Sequence, residues 1–541
     1  MTTQGANDFE LKNGILHGFS EPFLPKYQNY GEVILDSMKS NPDFVGQIDG
    51  TTGKTERFRE MLNKSVKCAI WLRKQNIRAG DVIGICTHNQ TDMYVPILAS
   101  LFVGAVFNPW WECGQTREMV RHFVNLTKPK ILFIHDSSLS TVLEVVKESR
   151  VNMKFVTFGK ISDFESLQEI LRSVEEKSVD SFEIAKLTRL QDAAFIVYTS
   201  GTTGLPKGIV TSHKSIFGNS QNFLELGRLD ESVRSINFSS ISWGVGIACF
   251  FRSLVAPETR IVYPHFDPEE TLRLIDKFEI NLMHLSPRKA FKLQKTCAAS
   301  NYDVSSVKLF WISGGVLKSE MQTAIAASFP RAKVFQAYGS SELGGVAFRQ
   351  SPGFEPNSCG TIVRNVEMKV VDIKSGRILG ARETGEALFK SPFMMTSYLG
   401  NPEATKKAID SEGWLHSGDL VHYEEKGHVF VTDRVSEMIN YRGHFISPES
   451  IEQAMYIHPA ISDVAVVSIP HDEDGERPIA FVSETPGTEV TEIEVENMMA
   501  ESLPDGEKIR GCVRFLDKIP RLLSGKIARA ELRKLAMSYE R

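Results

Sequence analysis

The sequence predicts an α/β protein with a large N-terminal domain of α/β subdomains plus a small β-barrel, and a small α+β C-terminal domain. A chain of 541 residues is too long for one hydrophobic core, which predicts at least two domains. Helix-period and strand-period segments alternate over the first 190 residues, as in a parallel sheet covered by helices. Short β segments among dense glycines and prolines follow between 360 and 432, which indicates a small barrel or sandwich.

Each part of this fold follows from local patterns. Apolar residues at helical spacing over 58–72 predict a helix, and the apolar run 82–86 predicts a buried strand. Beyond the mid-430s, strand-like runs such as 464–469 alternate with helical patterns, and a charged helix closes the chain. We therefore expect an N-terminal domain over residues 1–434 and a C-terminal domain over residues 435–541.

Composition and termini narrow the class of protein. The formal charge of −5 leaves no global positive field for nucleic acid, and seven scattered cysteines without a CxxC pair indicate thiols in a reducing compartment. The apolar run 93–111 is broken by Pro96 and Gly104, so we expect a buried helix and no integral membrane segment. With no signal-peptide pattern and no Ser-Lys-Leu ending, a cytoplasmic location is expected, and a peroxisomal location is the alternative. The expected oligomeric state is a monomer or homodimer.

Three predicted strands run into turns rich in glycine and hydroxyl groups. Strand 193–197 is followed by YTSGTTGLPKG, strand 307–312 by SGG, and strand 333–337 by YGSSE. In open α/β sheets, ligands collect beyond the carboxyl ends of the strands. We therefore expect these turns to share one ligand site.

The stretch YTSGTTGLPKG (198–208) has the chemistry of a polyphosphate cradle. Its glycines allow close backbone approach, its hydroxyl and N–H groups donate to oxygen, and Lys207 adds a positive charge. It is not a Walker A loop, because Gly208 stands where Ser or Thr is needed and the chain continues as a strand. A flexible surface loop is the alternative that composition alone favours.

The order of residues in this stretch resembles the signature loop of the adenylate-forming superfamily, which includes acyl-CoA ligases, coumarate-CoA ligases and beetle luciferases. Five motifs stand in the family's order over about residues 30–535. The resemblance implies that the loop holds the β- and γ-phosphates of ATP. It assigns this role to Thr199, Ser200, Gly201, Thr202, Thr203 and Lys207.

The motif YGSSE (338–342) resembles the family's second core motif. The resemblance implies that the tyrosine stacks on adenine, that the second serine bonds a phosphate oxygen, and that Glu342 is catalytic and holds Mg²⁺. A carboxylate suits this hard cation, although an isolated Glu after a strand more often begins a helix. The nucleotide-binding residues assigned in this way are Gly314, Gly315, Tyr338, Gly339 and Ser341.

The motif WLHSGD (414–419) is similar to the family's ribose motif, and Asp433-Arg434 matches the motif that follows it. The resemblance implies that Asp419 accepts the ribose hydroxyls and that Arg434 reaches nucleotide oxygens. An Asx-type turn is the alternative for the Ser-Gly-Asp sequence.

The segment RLLSGK (521–526) resembles the last family motif, whose lysine contacts the substrate carboxylate and the α-phosphate together. A catalytic Lys526 is expected because two anions must meet, and each unfavourable charge pair at 4 Å costs about 4 kcal/mol at an effective dielectric near 20. The implied reaction makes an acyl-adenylate from a carboxylic acid and ATP, and CoA then displaces AMP. The C-terminal domain is implied to be mobile, with its hinge at Ser436.

Two departures from the coumarate-ligase and luciferase pattern concern the substrate. Asn440 stands where those enzymes carry a lysine, and Trp243 where they tend to carry a histidine. Both resemble acetyl- and medium-chain acyl-CoA ligases, although Trp243 is equally compatible with a core position. With Gly344 expected to leave space in the substrate pocket beside Trp243, a medium- or long-chain fatty acid is expected.

The sequence therefore predicts an ATP-dependent acyl-CoA ligase, an AMP-forming acid–thiol ligase that uses ATP, Mg²⁺ and coenzyme A. One alternative is a luciferase-like adenylating oxygenase, against which the missing histidine counts. The other is a catalytically impaired homologue that only binds nucleotide or an acyl chain. The intact Lys526, Glu342 and Asp419 count against that alternative.

Overall fold

The structure is a computed structural model. It describes residues 9–20, 23, 25–112, 116–149, 151–199, 205–315, 317–442, 444–456, 458–485, 487–502, 512–521 and 527–539. Helices and strands alternate over most of the first 340 residues, antiparallel strands follow, and a second α+β unit closes the chain. The predicted α/β fold class is confirmed.

The helices are α1 (Tyr30–Ser40), α2 (Phe58–Lys74), α3 (Tyr94–Val103), α4 (Arg117–Thr127), α5 (Asp136–Ser149), α6 (Leu167–Ser173), α7 (Lys177–Asp180), α8 (His213–Leu226), α9 (Gly244–Val255), α10 (Pro268–Phe278), α11 (Pro287–Ala298), α12 (Ser319–Ser328), α13 (Pro402–Ala408), α14 (Pro448–Tyr456), α15 (Glu492–Ser502) and α16 (Arg529–Tyr539). The strands are β1 (Phe9–Lys12), β2 (Ile15–Gly18), β3 (Val45–Asp49), β4 (Thr55–Arg57), β5 (Val82–Cys86), β6 (Val106–Trp110), β7 (Ile131–Ile134), β8 (Lys154–Thr157), β9 (Glu165–Ser166), β10 (Ala193–Thr199), β11 (Lys207–Ser212), β12 (Arg234–Asn237), β13 (Thr259–Val262), β14 (Leu282–Leu285), β15 (Leu309–Ile312), β16 (Lys333–Ser340), β17 (Gly345–Arg349), β18 (Thr361–Ile362), β19 (Glu367–Val371), β20 (Gly385–Lys390), β21 (Ser397–Tyr398), β22 (Leu415–Tyr423), β23 (Val429–Arg434), β24 (Ile439–Tyr441), β25 (His444–Ile446), β26 (Ile461–His471), β27 (Gly475–Glu484) and β28 (Cys512–Phe515).

Two mixed sheets with parallel centres form the body of the N-terminal part. The first α/β sheet has the order β21-β11-β10-β6-β5-β7-β8-β9, and the second has the order β18-β17-β16-β15-β14-β12-β13-β3-β4. In both, the parallel strands are buried and helices cover them, which is why their sequences read as continuous apolar runs. The three turns that the sequence singled out all follow strands of these two sheets.

The apolar run 93–111 forms a helix and a strand. All ten residues of α3 are buried, Gly104 ends the helix with a φ of +74°, and β6 follows in the centre of the first α/β sheet. Among the described residues, no helix has the length and apolar character needed to cross a bilayer. The expected buried helix is confirmed, although it is shorter than the apolar run.

The short β segments between 360 and 432 belong to an antiparallel sheet with the order β1-β2-β19-β20-β22-β23. Phe9 of the first strand packs against Gly427, in the turn that leads into the last strand. No backbone pairing closes the sheet between these strands within the described residues, so the predicted small barrel is present as an open sheet.

The C-terminal unit is a small antiparallel sheet, β25-β24-β27-β26, to which β28 adds in parallel beside β27. Alternate residues of β26 point to opposite faces, so Val464 and Val466 pack in one apolar cluster while Ala465 and Val467 pack in another. All four residues are fully buried. This explains why the sequence of the strand is apolar without interruption. A small C-terminal α+β unit of this kind is what the sequence predicts.

Candidate functional site

The predicted phosphate loop connects β10 to β11 in an antiparallel hairpin. Thr199 and Lys207 are paired at the loop end of the hairpin, which places them opposite each other where the loop begins and ends. The loop residues Ser200, Gly201, Thr202 and Thr203 lie outside the described residues. The Lys207 ammonium lies 4.9 Å from the ring centroid of Tyr398, a cation–π distance.

Tyr398 joins the phosphate hairpin to Glu342. Its hydroxyl donates to Glu342 Oε1 at 3.0 Å, while its ring lies under Lys207. Burial and the Glu342 charge raise the pKa of Tyr398 well above its ordinary value, so the phenol stays protonated and donates. The tyrosine reaches this position because β21 pairs with β11, opposite Ile209.

Tyr338, Asp419 and Arg434 form a second group. The Tyr338 hydroxyl donates to Asp419 Oδ2 at 2.5 Å, and Arg434 Nε donates to Asp419 Oδ1 at 3.0 Å. Burial and the Asp419 charge raise the pKa of Tyr338 well above its ordinary value. Burial lowers the pKa of Arg434, but the Asp419 carboxylate outweighs it, so the net pKa rises and the guanidinium keeps its charge. The pairing of Asp419 with Arg434 in the β22–β23 ladder sets this geometry.

Gly314 and Gly315 form the turn after β15. Gly314 has a φ of +88°, and a Cβ at this position would meet no atom of the described residues within 4 Å. The carbonyl of Gly315 accepts a hydrogen bond from the Gln336 side chain at 3.2 Å, and Pro287 lies on its other side. The turn is therefore held in place while one of its faces is open to a flat ligand.

Ser341 lies against the start of α9. A Cβ placed on Gly244, the first residue of that helix, would lie 3.2 Å from Ser341 Oγ. Trp243 immediately precedes the helix and stacks on Trp111 with a centroid distance of 5.4 Å and an interplanar angle of 19°. Gly339 allows β16 and β17 to approach, because a Cβ there would lie 2.1 Å from the Gly345 carbonyl oxygen.

The missing side chain of Gly344 does not open a cavity. Its φ is +82°, and a Cβ there would lie 2.7 Å from the Phe393 carbonyl oxygen and 2.9 Å from Asn219 Nδ2. The glycine is needed for backbone conformation and close packing. The expectation that Gly344 leaves space for a long acyl chain therefore has no support in the structure. That Gly344 lies in the substrate pocket stays a prediction.

The predicted hinge residue, Ser436, lies between two residues that each make a hydrogen bond to a different part of the chain. Val435 N donates to Gly418 O at 2.8 Å, which ties it to the antiparallel sheet. Glu437 accepts from Arg529 Nε at 3.0 Å, which ties it to the C-terminal unit. Ser436 lies between them, exposed and in a turn.

Lys526 lies outside the described residues, but Arg521 and Ile527, which flank the undescribed segment 522–526, are described. Arg521 and Ile527 form an isolated β-bridge on either side of it. Arg521 also donates to Asp463 at 2.8 and 3.0 Å, and Asp463 accepts from Arg288 of α11 at 2.6 Å. Arg288 follows Pro287, which lies 3.4 Å from the position of a Cβ built on Gly315, so these contacts place Arg521 on the side of α11 that adjoins the Gly314-Gly315 turn.

Comparison with known proteins agrees with this geometry. The sequence profile of the family described as "AMP-binding enzyme" matches residues 36–399, which is more than half of the chain. The protein belongs to this AMP-binding enzyme family. The profile "AMP-binding enzyme C-terminal domain" matches residues 450–526. The expected membership of the adenylate-forming superfamily is confirmed, and the exact domain boundary stays a prediction.

Similar proteins span the whole length of this AMP-binding enzyme. Luciferin 4-monooxygenase of Photinus pyralis is 27% identical over 533 residues, covering 96% of this chain and 97% of that protein. 4-coumarate–CoA ligase 1 of Petroselinum crispum is 29% identical over 530 residues, covering 94% of each. The fold matches ATP-bound MatB from Rhodopseudomonas palustris with a TM-score of 0.85 at 22% identity, over 95% of this chain and 100% of that one.

Tyr398 of this AMP-binding enzyme is a site residue that no sequence motif includes. The residue lies outside every motif that the sequence pattern indicated, and only the pairing of β21 with β11 brings it between Lys207 and Glu342. Its ring contacts Lys207 and its hydroxyl bonds Glu342, and no pattern in the local sequence indicates this combination of contacts. An aromatic residue opposite the phosphate hairpin is the signal that a predicted strand pairing could have provided.

Proposed function

We propose that this AMP-binding enzyme is an AMP-forming acid–thiol ligase that activates a carboxylic acid with ATP and transfers the acyl group to coenzyme A. One observation carries the proposal: the segment 338–342 bears Tyr338, bonded to Asp419, and Glu342, bonded to Tyr398 beside Lys207. The carboxylate proposed to bind ribose and the lysine proposed to bind phosphate thus contact residues at the two ends of one five-residue segment. The names of the coumarate–CoA ligase relatives support the reaction type.

The first group binds the nucleoside. Asp419 would accept the ribose hydroxyls, since a carboxylate has about four lone-pair sites and Tyr338 and Arg434 occupy one on each oxygen. Arg434 would reach nucleotide oxygens with its remaining N–H groups. The open face at Gly314 would receive adenine, beside the Tyr338 ring.

The second group binds the phosphates. Lys207, with Thr199 and the loop residues between them, would hold the β- and γ-phosphates, and Ser341 would donate to a phosphate oxygen. Glu342 fits a Mg²⁺ site, because Mg²⁺ is commonly held by one or two carboxylates together with substrate phosphates. Tyr398 orients the carboxylate through Oε1. When bound, Mg²⁺ would offset the charge of the departing pyrophosphate.

The approach of two anions is the task assigned to Lys526. The acid carboxylate attacks the α-phosphorus, the bond to the pyrophosphate oxygen breaks, and acyl-adenylate forms. A lysine between the two anions lowers their repulsion at that point. The CoA thiolate then attacks the acyl carbon and AMP leaves. The turn at Ser436 would let the C-terminal unit present a different face for this second step.

The proposed acid is a carboxylic acid with an apolar body. The medium- or long-chain fatty acid expected from Trp243 and Asn440 is not supported by the relatives, whose names refer to coumarate and luciferin. Trp243 stacks on Trp111 and packs against a cluster that includes Tyr198 and Phe123. This apolar, aromatic surface beside Ser341 supports an apolar substrate without fixing its length.

The test is a pyrophosphate-release screen over fatty acids of different length and cinnamate-type acids, with and without CoA. We expect pyrophosphate from at least one class of acid, and acyl-CoA and AMP in equal amounts when CoA is present. Asp419→Asn should lose both products. The proposal is wrong if no acid releases pyrophosphate, or if CoA is never consumed while luciferin gives light, which would favour the adenylating oxygenase.

A further inference from the structure

Three residues outside the nucleotide site meet at the carboxyl edge of the first α/β sheet. The strands β6, β5 and β7 are neighbours and parallel, with Cys86 opposite both Trp110 and Ile134 at their ends. His88, Glu112 and His135 follow these strand ends by two, two and one residues, so their side chains come together. This is the edge of a sheet at which ligands collect.

The ligand atoms of the three side chains lie close together. One nitrogen of each histidine and one carboxylate oxygen of Glu112 all lie within 4.8 Å of one another. Glu112 Oε1 is 3.1 Å from His88 Nδ1 and 3.8 Å from His135 Nδ1. A tetrahedral site with metal–ligand bonds of about 2.0–2.1 Å has ligand atoms roughly 3.3 Å apart, and the two observed distances bracket that value.

The surroundings keep these groups ready to bind a cation. Among the described residues, Glu112 makes ion pairs with these two histidines and with no lysine or arginine. Ser137 Oγ donates to Glu112 Oε1 at 3.1 Å, and Ser137 N donates to His135 Nδ1 at 3.3 Å, a hydrogen bond that a cation at Nδ1 would replace.

We propose that His88, Glu112 and His135 form a binding site for one divalent transition-metal cation of the Zn²⁺ type, separate from the Mg²⁺ proposed at Glu342. Two imidazoles and one carboxylate are a ligand set that suits Zn²⁺, and a fourth position remains for water. The side chains are 19%, 12% and 29% exposed, so the cluster is partly shielded yet reachable from solvent. Because Glu112 follows Trp111, which stacks on Trp243, the cation would also stiffen one wall of the proposed acid pocket.

The experiment is equilibrium dialysis of the full chain against Zn²⁺ after removal of metals with a chelator. The variants are His88→Ala and Glu112→Gln, the second of which preserves the shape of the side chain. The matched control is His17→Ala, which breaks another histidine–glutamate pair, His17 Nδ1 to Glu367 Oε1 at 3.2 Å. Cobalt substitution gives an independent readout, since tetrahedral Co²⁺ has strong visible absorption bands.

We expect one Zn²⁺ per wild-type chain, and binding weakened by about 100-fold or more in His88→Ala and Glu112→Gln, since even outer residues of such sites change affinity by about 10–100-fold. His17→Ala should bind as wild type does, and Glu112→Gln should keep the wild-type melting temperature of the metal-free protein. The proposal is overturned if wild type binds no Zn²⁺, or if all three variants bind it equally. A Co²⁺ spectrum unchanged by Glu112→Gln would also overturn it.

Discussion

The Tyr398 hydroxyl offers a clean test of the proposed phosphate and metal site. Tyr398→Phe removes the hydrogen bond of 3.0 Å to Glu342 and keeps the ring under Lys207. A hydrogen bond to a charged group contributes about 1.5–3 kcal/mol, and about 1.4 kcal/mol changes a rate tenfold. We therefore expect the kcat/KM for ATP in pyrophosphate release to fall by about 10- to 150-fold, with a higher Mg²⁺ requirement.

The assay is initial-rate pyrophosphate release at varied ATP and Mg²⁺ with a saturating acid. Tyr423→Phe is the matched control, because it removes another buried tyrosine hydroxyl, which bonds the Leu379 carbonyl at 3.4 Å away from the site residues. This control should keep wild-type kinetics. If Tyr398→Phe stays within about twofold of wild type in rate and Mg²⁺ dependence, Tyr398 does not position Glu342 for catalysis.

Two further substitutions test the proposed roles of Lys526 and Ser436, and a third tests how the stability of the fold depends on pH. Lys526→Ala should reduce adenylate formation by about 10²–10³-fold with little loss of ATP affinity, because its charge matters most where two anions converge. Pyrophosphate release near wild type would contradict that role. Ser436→Pro should spare adenylate formation and slow acyl-CoA formation, since proline fixes φ at the turn, whereas equal loss of both steps would place the hinge elsewhere. Burial lowers the pKa of His213 from 6.5 to about 4, so its neutral form stabilises the fold above pH 6.5 and that stability is lost as pH falls toward 4. His213→Gln should therefore show a smaller decrease in melting temperature between pH 7 and about pH 5 than wild type does, and parallel curves would contradict this.

The regular elements of the N-terminal part were predictable because local signals agree with their packing. Asp267 caps α10 by accepting from Glu270 N at 2.9 Å, and Pro268 occupies the first turn, as the sequence indicates. The strand Glu367–Val371 lies within the stretch 360–432 in which short β segments are predicted. Such elements depend on neighbours within a few residues, so a sequence pattern is enough to locate them.

The features that sequence reasoning missed depend on distant partners. Gly344 was expected to leave space, but the Phe393 backbone fills it from almost fifty residues away along the chain. Tyr398 reaches Glu342 only through strand pairing, and the His88, Glu112 and His135 cluster arises only from the order of three strands. The open edge of the antiparallel sheet likewise depends on how six short strands curl, which their individual sequences do not encode.

If the C-terminal unit turns at Ser436, as proposed, the hydrogen bonds on either side of this residue would limit the motion. Val435 N is bonded to Gly418 O, and the Glu437 side chain is bonded to Arg529, so the short turn between these contacts would carry the change in φ and ψ. A rotation at this turn would also break the hydrogen bonds from Glu437 N and Met438 N to Arg434 O. Each of these bonds stabilises the turn by about 1 kcal/mol. A short turn that is held by hydrogen bonds has few stable conformations. The proposed catalytic cycle would then alternate between discrete orientations of the C-terminal unit, and the carbonyl of Arg434, whose side chain is proposed to contact the nucleotide, would form or lose these hydrogen bonds as the unit turns.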